Sequence, residues 1–561
     1  MNKPQDLNNN GFKLHPLEYI GMLVFLLAGC LLGSHYAQGF IAWDDLHYMH
    51  TSWSLLVEPN ILNRYFDIYL LKFFTAITAG DPFSGARLFG AFISSLTIVL
   101  VYLNARILAK THPFWYGMLA VLFLLSFQLF TTNFGATLPD FTVAMMVAIG
   151  VTIYLLYHRL PAHQDLLVIL FGLVLFLSYK TKETGLLLGV LIPGFLISEE
   201  KILRRRIIIR QLLLILAGVG IGLVLFVILN GLLIKDAFFG FSLSDIRAWL
   251  GQNELSTYVR TTDNYLDVVG LSAPFILALV WALKPDQRFT VNDRLLWLLS
   301  IGFIIFLNLT LIKANYNVIP RYVLPVYVVI SILAPQAVRT DFIGSSWKER
   351  LRMGVIILGS FLIAGLGALT VYYLLARPAN WEIKDYLKGI IGPIALLILI
   401  AWLVFSKRNT NVSLVVVMIG IGALTLPFAA VYINSVYKGN QVYQSNGRFQ
   451  PFAEFSNIVT CNPGKILISG SIYETGGKLG RDRSSSWWMY DLYYRCHTQQ
   501  DQVIFSNSPL KALNDSYQYV FLDVSDYRTL KSNAGAFQEA TSLYSINPDS
   551  TQTTILLSRK P

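Results

Sequence analysis

Charge is what this sequence has least of. Asp, Glu, Lys and Arg make up only 14% of the 561 residues, against roughly 25% in ordinary soluble domains. With 54% hydrophobic residues and a mean hydropathy of +0.53, that scarcity excludes a soluble enzyme. Cysteine is scarcer still. Cys30, Cys461 and Cys496 are the three present, and their spacing matches no metal or redox motif. The chain has neither a G-x-x-x-x-G-K-[ST] phosphate loop nor an H-E-x-x-H helix, which argues against an ATP-driven pump. Its G-x-G pairs, Gly218/Gly220 and Gly365/Gly367, lie inside apolar runs, where glycine ordinarily serves helix packing. No tandem repeat of about 20–50 residues occurs, which excludes solenoids. The 44 Lys+Arg against 33 Asp+Glu leave a formal charge of +11. This excess is scattered over many loops rather than gathered in one patch, so nucleic acid is not an expected partner.

Long apolar runs are abundant. A segment of about 20 apolar residues crosses the hydrocarbon core of a bilayer, and shorter ones do so when packed among neighbours. Thirteen such spans are predicted, at 17–39, 84–106, 114–131, 140–157, 166–179, 184–198, 211–234, 267–283, 295–312, 323–338, 353–376, 389–406 and 412–435. The expected fold class is thus a polytopic α-helical membrane protein. The first span lacks a small-residue cleavage site and reads as a retained anchor. Arg106, Lys110, Arg159, Lys201, Arg204 to Arg206, Arg210, Lys284, Arg288, Arg294, Arg339, Lys348, Arg350, Arg352, Lys407 and Arg408 fall in loops on the side of the N-terminus. The positive-inside rule makes that side cytoplasmic. The expectation is therefore an integral protein of the plasma (inner) membrane, with the tail outside the cytoplasm and lipid all around.

Residues 1–435 form the membrane module, with a first outer loop at 40–83, and residues 436–561 form a polar tail. The tail carries β-type runs at Lys465 to Ser469, Gln502 to Phe505, Tyr519 to Val524 and Thr554 to Leu557, with a helical pattern from Asp526 to Tyr544. Strands alternating with helices predict a small α/β domain. In an oxidising compartment Cys461 and Cys496 could be bonded or free, since spacing alone does not fix connectivity.

The chemistry concentrates at outer helix ends. After span one comes Phe40-Ile41-Ala42-Trp43-Asp44-Asp45-Leu46-His47-Tyr48, two adjacent carboxylates in a loop beside aromatic residues. Such carboxylates repel, and one of a semi-dry pair holds a raised pKa suited to proton abstraction; the plain alternative is a solvated acidic loop. Ile61 to Thr78 has apolar residues at helical spacing with Arg64, Asp67 and Lys72 between them, the pattern of an interfacial helix. Asp81-Pro82 ends it and Arg87 opens span two. Asp140 begins span four, Lys180, Lys182 and Glu183 occupy the turn after span five, and Lys313 and Arg321 bracket the turn before span ten. Singly, these read as snorkelling cations and a carboxylate complementing a helix dipole. Together they gather cations and carboxylates on one face, as a site joining an anionic phosphate to a hydroxyl acceptor requires.

The ordered set Asp44-Asp45-x-x-Tyr48, Asp81-Pro82-x-x-x-x-Arg87-Leu88, Thr137-Leu138-Pro139-Asp140, Tyr179-Lys180-Thr181-Lys182-Glu183-Thr184-Gly185 and Arg321-Tyr322-Val323-Leu324-Pro325 resembles the GT-C glycosyltransferases of the protein O-mannosyltransferase and lipid A aminoarabinose transferase group. The resemblance covers residues 17 to about 335; beyond that it is architectural. It implies a GT-C fold, an active site at the outer membrane face, a polyprenyl-phosphate-linked sugar as donor, and a cell-envelope lipid, glycan or protein as acceptor. It places the catalytic base on Asp44, with Asp45 where the pattern often has Glu. It also matches Asp140 to a second acidic position, Lys182 to a basic residue after span five, and Arg321 and Tyr322 to an Arg-Tyr pair near the donor phosphate. Arg87, Tyr48 and Glu183 join the expected substrate-binding set. Lys182-Glu183-Thr184 departs from the Lys-Gly-Pro of some relatives, leaving Glu183 as ligand or passenger.

A lipid phosphate leaves without a general acid when cations receive its charge, so one carboxylate base with Arg and Lys suffices for inverting displacement. A divalent cation, Mg²⁺ or Mn²⁺, at the acidic pair stays open, for hard oxygen ligands suit either. The competing class is a transporter or flippase, which would carry intramembrane charges and inverted repeats at mid-depth. A non-catalytic relative whose tail binds a glycan or a partner is a third reading.

Overall fold

The computed structural model describes residues 15–36, 43–55, 64–109, 113–127, 130, 134–198, 201–202, 205–241, 293–303, 323–337, 452, 455–461, 464–469, 483–497, 499–506, 508–514, 516–546 and 554–560. Among them, five helices are long and apolar enough to cross a membrane: Pro16–Ser34, Pro82–Leu108, Pro139–Tyr157, Pro161–Thr181 and Arg205–Leu233. Three shorter apolar ones are Pro113–Leu125, Glu183–Phe195 and Leu324–Gln336. These eight coincide with predicted spans one to seven and ten. Residues 293–303 are helical within span nine, while spans eight and eleven to thirteen lie outside the described residues.

The bundle is built from α1 (Pro16–Tyr36), α2 (Trp43–Ser54), α3 (Tyr65–Ile77), α4 (Pro82–Leu108), α5 (Pro113–Ser126), α6 (Pro139–Tyr157), α7 (Gln164–Thr181), α8 (Arg205–Leu233) and α9 (Leu324–Leu333). Local sequence starts them. Asp81 caps α4 by accepting from the backbone N–H of Phe83 and Ser84 at 3.3 and 3.2 Å, and Pro82 occupies the first turn, where its missing N–H costs nothing. Pro139 likewise occupies the first turn of α6, which has no side-chain cap. Burial then sorts the helices. α6 is buried on nearly every side and forms the bundle's centre, whereas α1 and α8 expose Leu17, Leu31, Leu213 and Leu232, as lipid-facing helices do.

Small residues bring α7 and α8 together. A Cβ on Gly218 would lie 2.0 Å from the Ile169 carbonyl oxygen, and one on Gly172 would lie 2.1 Å from that of Ile215. Gly218 therefore packs helices as expected, while Gly220 faces open space; Gly365 and Gly367 lie outside the described residues.

One end of the bundle is tied by charge. Arg106, at the end of α4, grips Glu18, at the start of α1, through Nε at 3.0 Å and Nη2 at 2.7 Å. Arg159 donates to the Ile107 carbonyl at 3.0 Å, and Arg210 pairs with Asp165. Arg106, Arg159 and Arg210, three of the basic residues expected beside the N-terminus, thus share one end, which leaves Asp67, Asp81, Asp140 and Lys182 at the other.

Two local expectations change. Residues 43–54 are a helix rather than a loop, because Leu46, Met49 and Trp53, at helical spacing, bury one face. Span six is a 3-10 helix over Glu183–Leu191 that continues as an α-helical turn, Ile192–Phe195. Two short strands, β1 (Ile197–Ser198) and β2 (Lys201–Ile202), pair antiparallel between that turn and α8.

The tail folds as an α/β unit. Strands β3 (Lys465–Ser469), β4 (Val503–Ser506), β5 (Tyr517–Asp523), β6 (Tyr544–Ile546) and β7 (Thr554–Arg559) form one sheet in the order β4-β3-β5-β7-β6. β3 runs parallel to β4 and β5, while β7 is antiparallel to β5 and β6. All four expected strands are present. The expected single helix is two, α11 (Val524–Ser532) and α12 (Ala534–Leu543), because the Asn533 side chain caps the second. A helix not read from the sequence, α10 (Arg483–Tyr494), connects β3 to β4. Cys461 and Cys496 are disulfide-bonded, with Cα atoms 4.7 Å apart.

Candidate active site

Three described charges at the far end of the bundle, Asp140, Lys182 and Arg64, come together from three helices. Asp140 stands in the first turn of α6, 4% exposed. Lys182 follows α7 in an extended conformation (φ −167°, ψ 151°) that turns its chain out of the helix. Its Nζ meets Asp140 Oδ1 at 2.5 Å, with both side chains buried. Burial pushes the Lys182 ammonium below the usual lysine range; Asp140 opposes that shift and the nearby Arg64 guanidinium adds to it.

Arg64 enters just before α3. Its guanidinium donates to the Tyr48 hydroxyl and lies 5.9 Å from the centre of that ring. Asp67, fully buried in the first turn of α3, accepts from Thr142 of α6. The result is two cations, the buried Lys182 and the half-buried Arg64, set beside the buried carboxylates of Asp140 and Asp67, with Glu183 also acting on Lys182. Cations fixed where water is scarce act more strongly on an anion than exposed ones do.

Of the expected residues, Tyr48, Asp140 and Lys182 are brought together here. Asp44 and Asp45 occupy the first turn of α2, one turn before His47 and Tyr48; their side chains lie outside the described residues. Arg321 and Tyr322 also lie outside them. Arg87 is half-buried, one turn into α4, and Glu183 is half-buried at the start of the 3-10 helix. Lys180, expected in the turn, belongs instead to the last turn of α7. It is buried, with Nζ 4.1 Å from the ring centre of Phe241 and 5.2 Å from that of Phe226. Among the described residues, no group of three or more His, Cys, Asp or Glu is placed to hold a metal ion.

Sequence reading did not assign Arg64 to the site, and it missed a contact from the tail. His50 Nε2 of α2 donates to Asp491 Oδ2 of α10 at 3.0 Å, both side chains being buried. Arg64 carries a weak signal, an Arg at the mouth of an aromatic helix. Asp491 carries none, since it lies 441 residues from His50.

Residues 66–229 match the family of dolichyl-phosphate-mannose-protein mannosyltransferases. Over 97% of this chain and 98% of theirs, the structure superposes on ArnT from Cupriavidus metallidurans bound to undecaprenyl phosphate, with a TM-score of 0.55 at 13% identity. The apo state of ArnT gives a TM-score of 0.56 at 13% identity, covering 96% and 98%. The oligosaccharyltransferase AglB from Archaeoglobus fulgidus aligns with 97% of this chain and 75% of its own length, at 14% identity and a TM-score of 0.38. No curated protein matches the sequence. The fold is that of the GT-C membrane glycosyltransferases. Within that class the chain is similar to the protein O-mannosyltransferase and ArnT group.

Proposed function

We propose that this chain is an inverting glycosyltransferase. It moves a sugar from a polyprenyl-phosphate-linked donor to a hydroxyl of a lipid, glycan or protein acceptor at the outer face of the membrane. The observation that carries the reading is the buried pairing of Lys182 with Asp140 beside Arg64 and Tyr48, adjoining the helix whose first turn holds Asp44 and Asp45. The matching mannosyltransferase family and the undecaprenyl phosphate bound to ArnT lend the donor class. The described charge pairs stand at helix ends, where a transferase needs them, and not at the mid-depth a transporter would use.

In this mechanism Asp44 takes the proton of the acceptor hydroxyl as its oxygen attacks the anomeric carbon. The bond from that carbon to the phosphate oxygen breaks on the opposite face, inverting the configuration. The phosphate leaves with the bonding electron pair, and Lys182, Arg64 and Arg321 receive its charge, so no general acid is required. Asp140 holds Lys182 in place, and Asp45, Arg87, Tyr322 and Glu183 complete the substrate-binding set. If a divalent cation takes part, the oxygens of Asp44 and Asp45 would hold it.

Mass spectrometry of the lipid that copurifies with the protein tests the reading. A polyprenyl-phosphate sugar is expected; a protein that carries none, and releases no polyprenyl phosphate from membrane extracts, is not a transferase. Full function after loss of Asp44 would favour a non-catalytic relative.

A further inference from the structure

The helix that carries the acidic pair has little to hold it by itself. α2 is 12 residues long and largely polar, below the length at which an isolated helix persists in water. Its orientation must come from packing. Leu46, Met49 and Trp53 face the core, while the neighbouring stripe is gripped by the tail. His47 stacks on Trp488 of α10 with ring centres 4.4 Å apart and planes at 5°. His50 sets its ring edge against Trp487 at 4.6 Å and donates to the buried Asp491 carboxylate at 3.0 Å.

The grip continues past the end of α10. Arg495 and His497 both adopt left-handed backbone conformations, φ 57° and 53°, which cost energy in residues with a Cβ. Cys496 between them is bonded to Cys461. Held so, His497 stacks on Trp53 at 3.8 Å, and Arg495 reaches Asp81, the cap of α4, at 3.4 Å. The tail thus takes hold of α2 at three successive turns and touches the start of α4 beside it.

We propose that Asp491 is a positioning residue for transfer: through His50 it fixes α2, and with it the acidic pair at the helix's first turn. The proposal rests on the transferase reading. Position 44 lies six residues from His50, about 9 Å along the axis at 1.5 Å per residue. A tilt of about 6° about His50 therefore moves that position by about 1 Å, a misplacement that can cost about 10²-fold in rate.

The test uses the full-length protein in detergent. The donor probe is the polyprenyl-phosphate sugar fraction extracted from the expression host, with host membranes as acceptor, and turnover is read as polyprenyl phosphate released. Undecaprenyl phosphate alone serves as the binding probe. Asp491→Leu and His50→Leu are expected to lower kcat by about 10- to 100-fold, with donor KM and undecaprenyl phosphate binding within about twofold of the wild type. His50→Gln, whose amide N–H can replace the ring N–H, is expected to recover most of the loss. The double Leu variant should be slower than either single one by less than the product of the two effects, because the two side chains share one hydrogen bond. Wild-type kcat in Asp491→Leu overturns the proposal, as does a His50→Gln protein as slow as His50→Leu. Absence of turnover by the wild-type protein is a different failure, that of the transferase reading itself.

Discussion

At the scale of single residues, the proposed mechanism separates a base from the groups that receive charge. Asp44→Asn preserves shape and removes basicity, so turnover is expected to fall by about 10²- to 10⁴-fold while donor binding persists. An active Asp44→Asn beside an inactive Asp45→Asn would move the base to Asp45. Donor binding that collapses and depends on added Mg²⁺ or Mn²⁺ would make the pair a metal site. Lys182 provides a test in pH. In the proposed mechanism it must be charged to receive phosphate, and burial holds its ammonium below the usual lysine range. Activity is therefore expected to fall on the alkaline side at a pH lower than an exposed lysine would dictate, and Lys182→Arg should carry the plateau higher, since arginine stays protonated. A pH profile unchanged by that substitution would leave Lys182 a purely structural partner of Asp140. Arg321→Ala should weaken donor use strongly, and Arg321→Lys less so, because charge survives without the bidentate fork.

At the scale of elements, helix ends and helix contacts were legible to different degrees. Pro139 marked a helix start, and Asp81-Pro82, read as the end of the interfacial helix, also opens α4 through the Asp81 cap, because such signals are written within a few residues. Glycine inside an apolar run told only that packing was plausible. The structure distinguishes Gly218, pressed against the Ile169 carbonyl, from Gly220, which faces open space. Gly218→Val should force α7 and α8 apart and lower thermal stability in detergent by about 1–3 kcal/mol. Gly220→Ala should be neutral or stabilising by up to about 1 kcal/mol. Equal melting temperatures for the two variants would contradict the close contact. The acidic segment read as a loop because α2 has few apolar residues. Its helix is completed by partners distant in sequence, and local patterning does not register these.

At the scale of the whole molecule, the bundle and the tail share an interface made by α2 and α10. The Cys461–Cys496 bond closes a loop of sequence separation 35, worth about 4 kcal/mol in the chain-entropy model. Cys461→Ser, or a reductant, is expected to lower the thermal midpoint of the tail, and an unchanged midpoint would show that the bond contributes nothing. Sidedness is tested by fusion: a reporter after Pro561 that works only outside the cytoplasm should be active, and activity of a cytoplasm-only reporter would invert the topology.

The sequence by itself determined the class, because the hydrophobic length of a span is a one-dimensional property that a bilayer reads directly. It also determined the strands of the tail and the candidate carboxylates and cations, through residue type, order and common sidedness. Only the tertiary structure decided that Lys182 pairs with Asp140, that Arg64 joins them, that the two tail cysteines are bonded, and that Asp491 reaches His50 across 441 residues. These are contacts between side chains brought close by packing. Their energies depend on distance and on the exclusion of water, and neither quantity is carried by position along the chain.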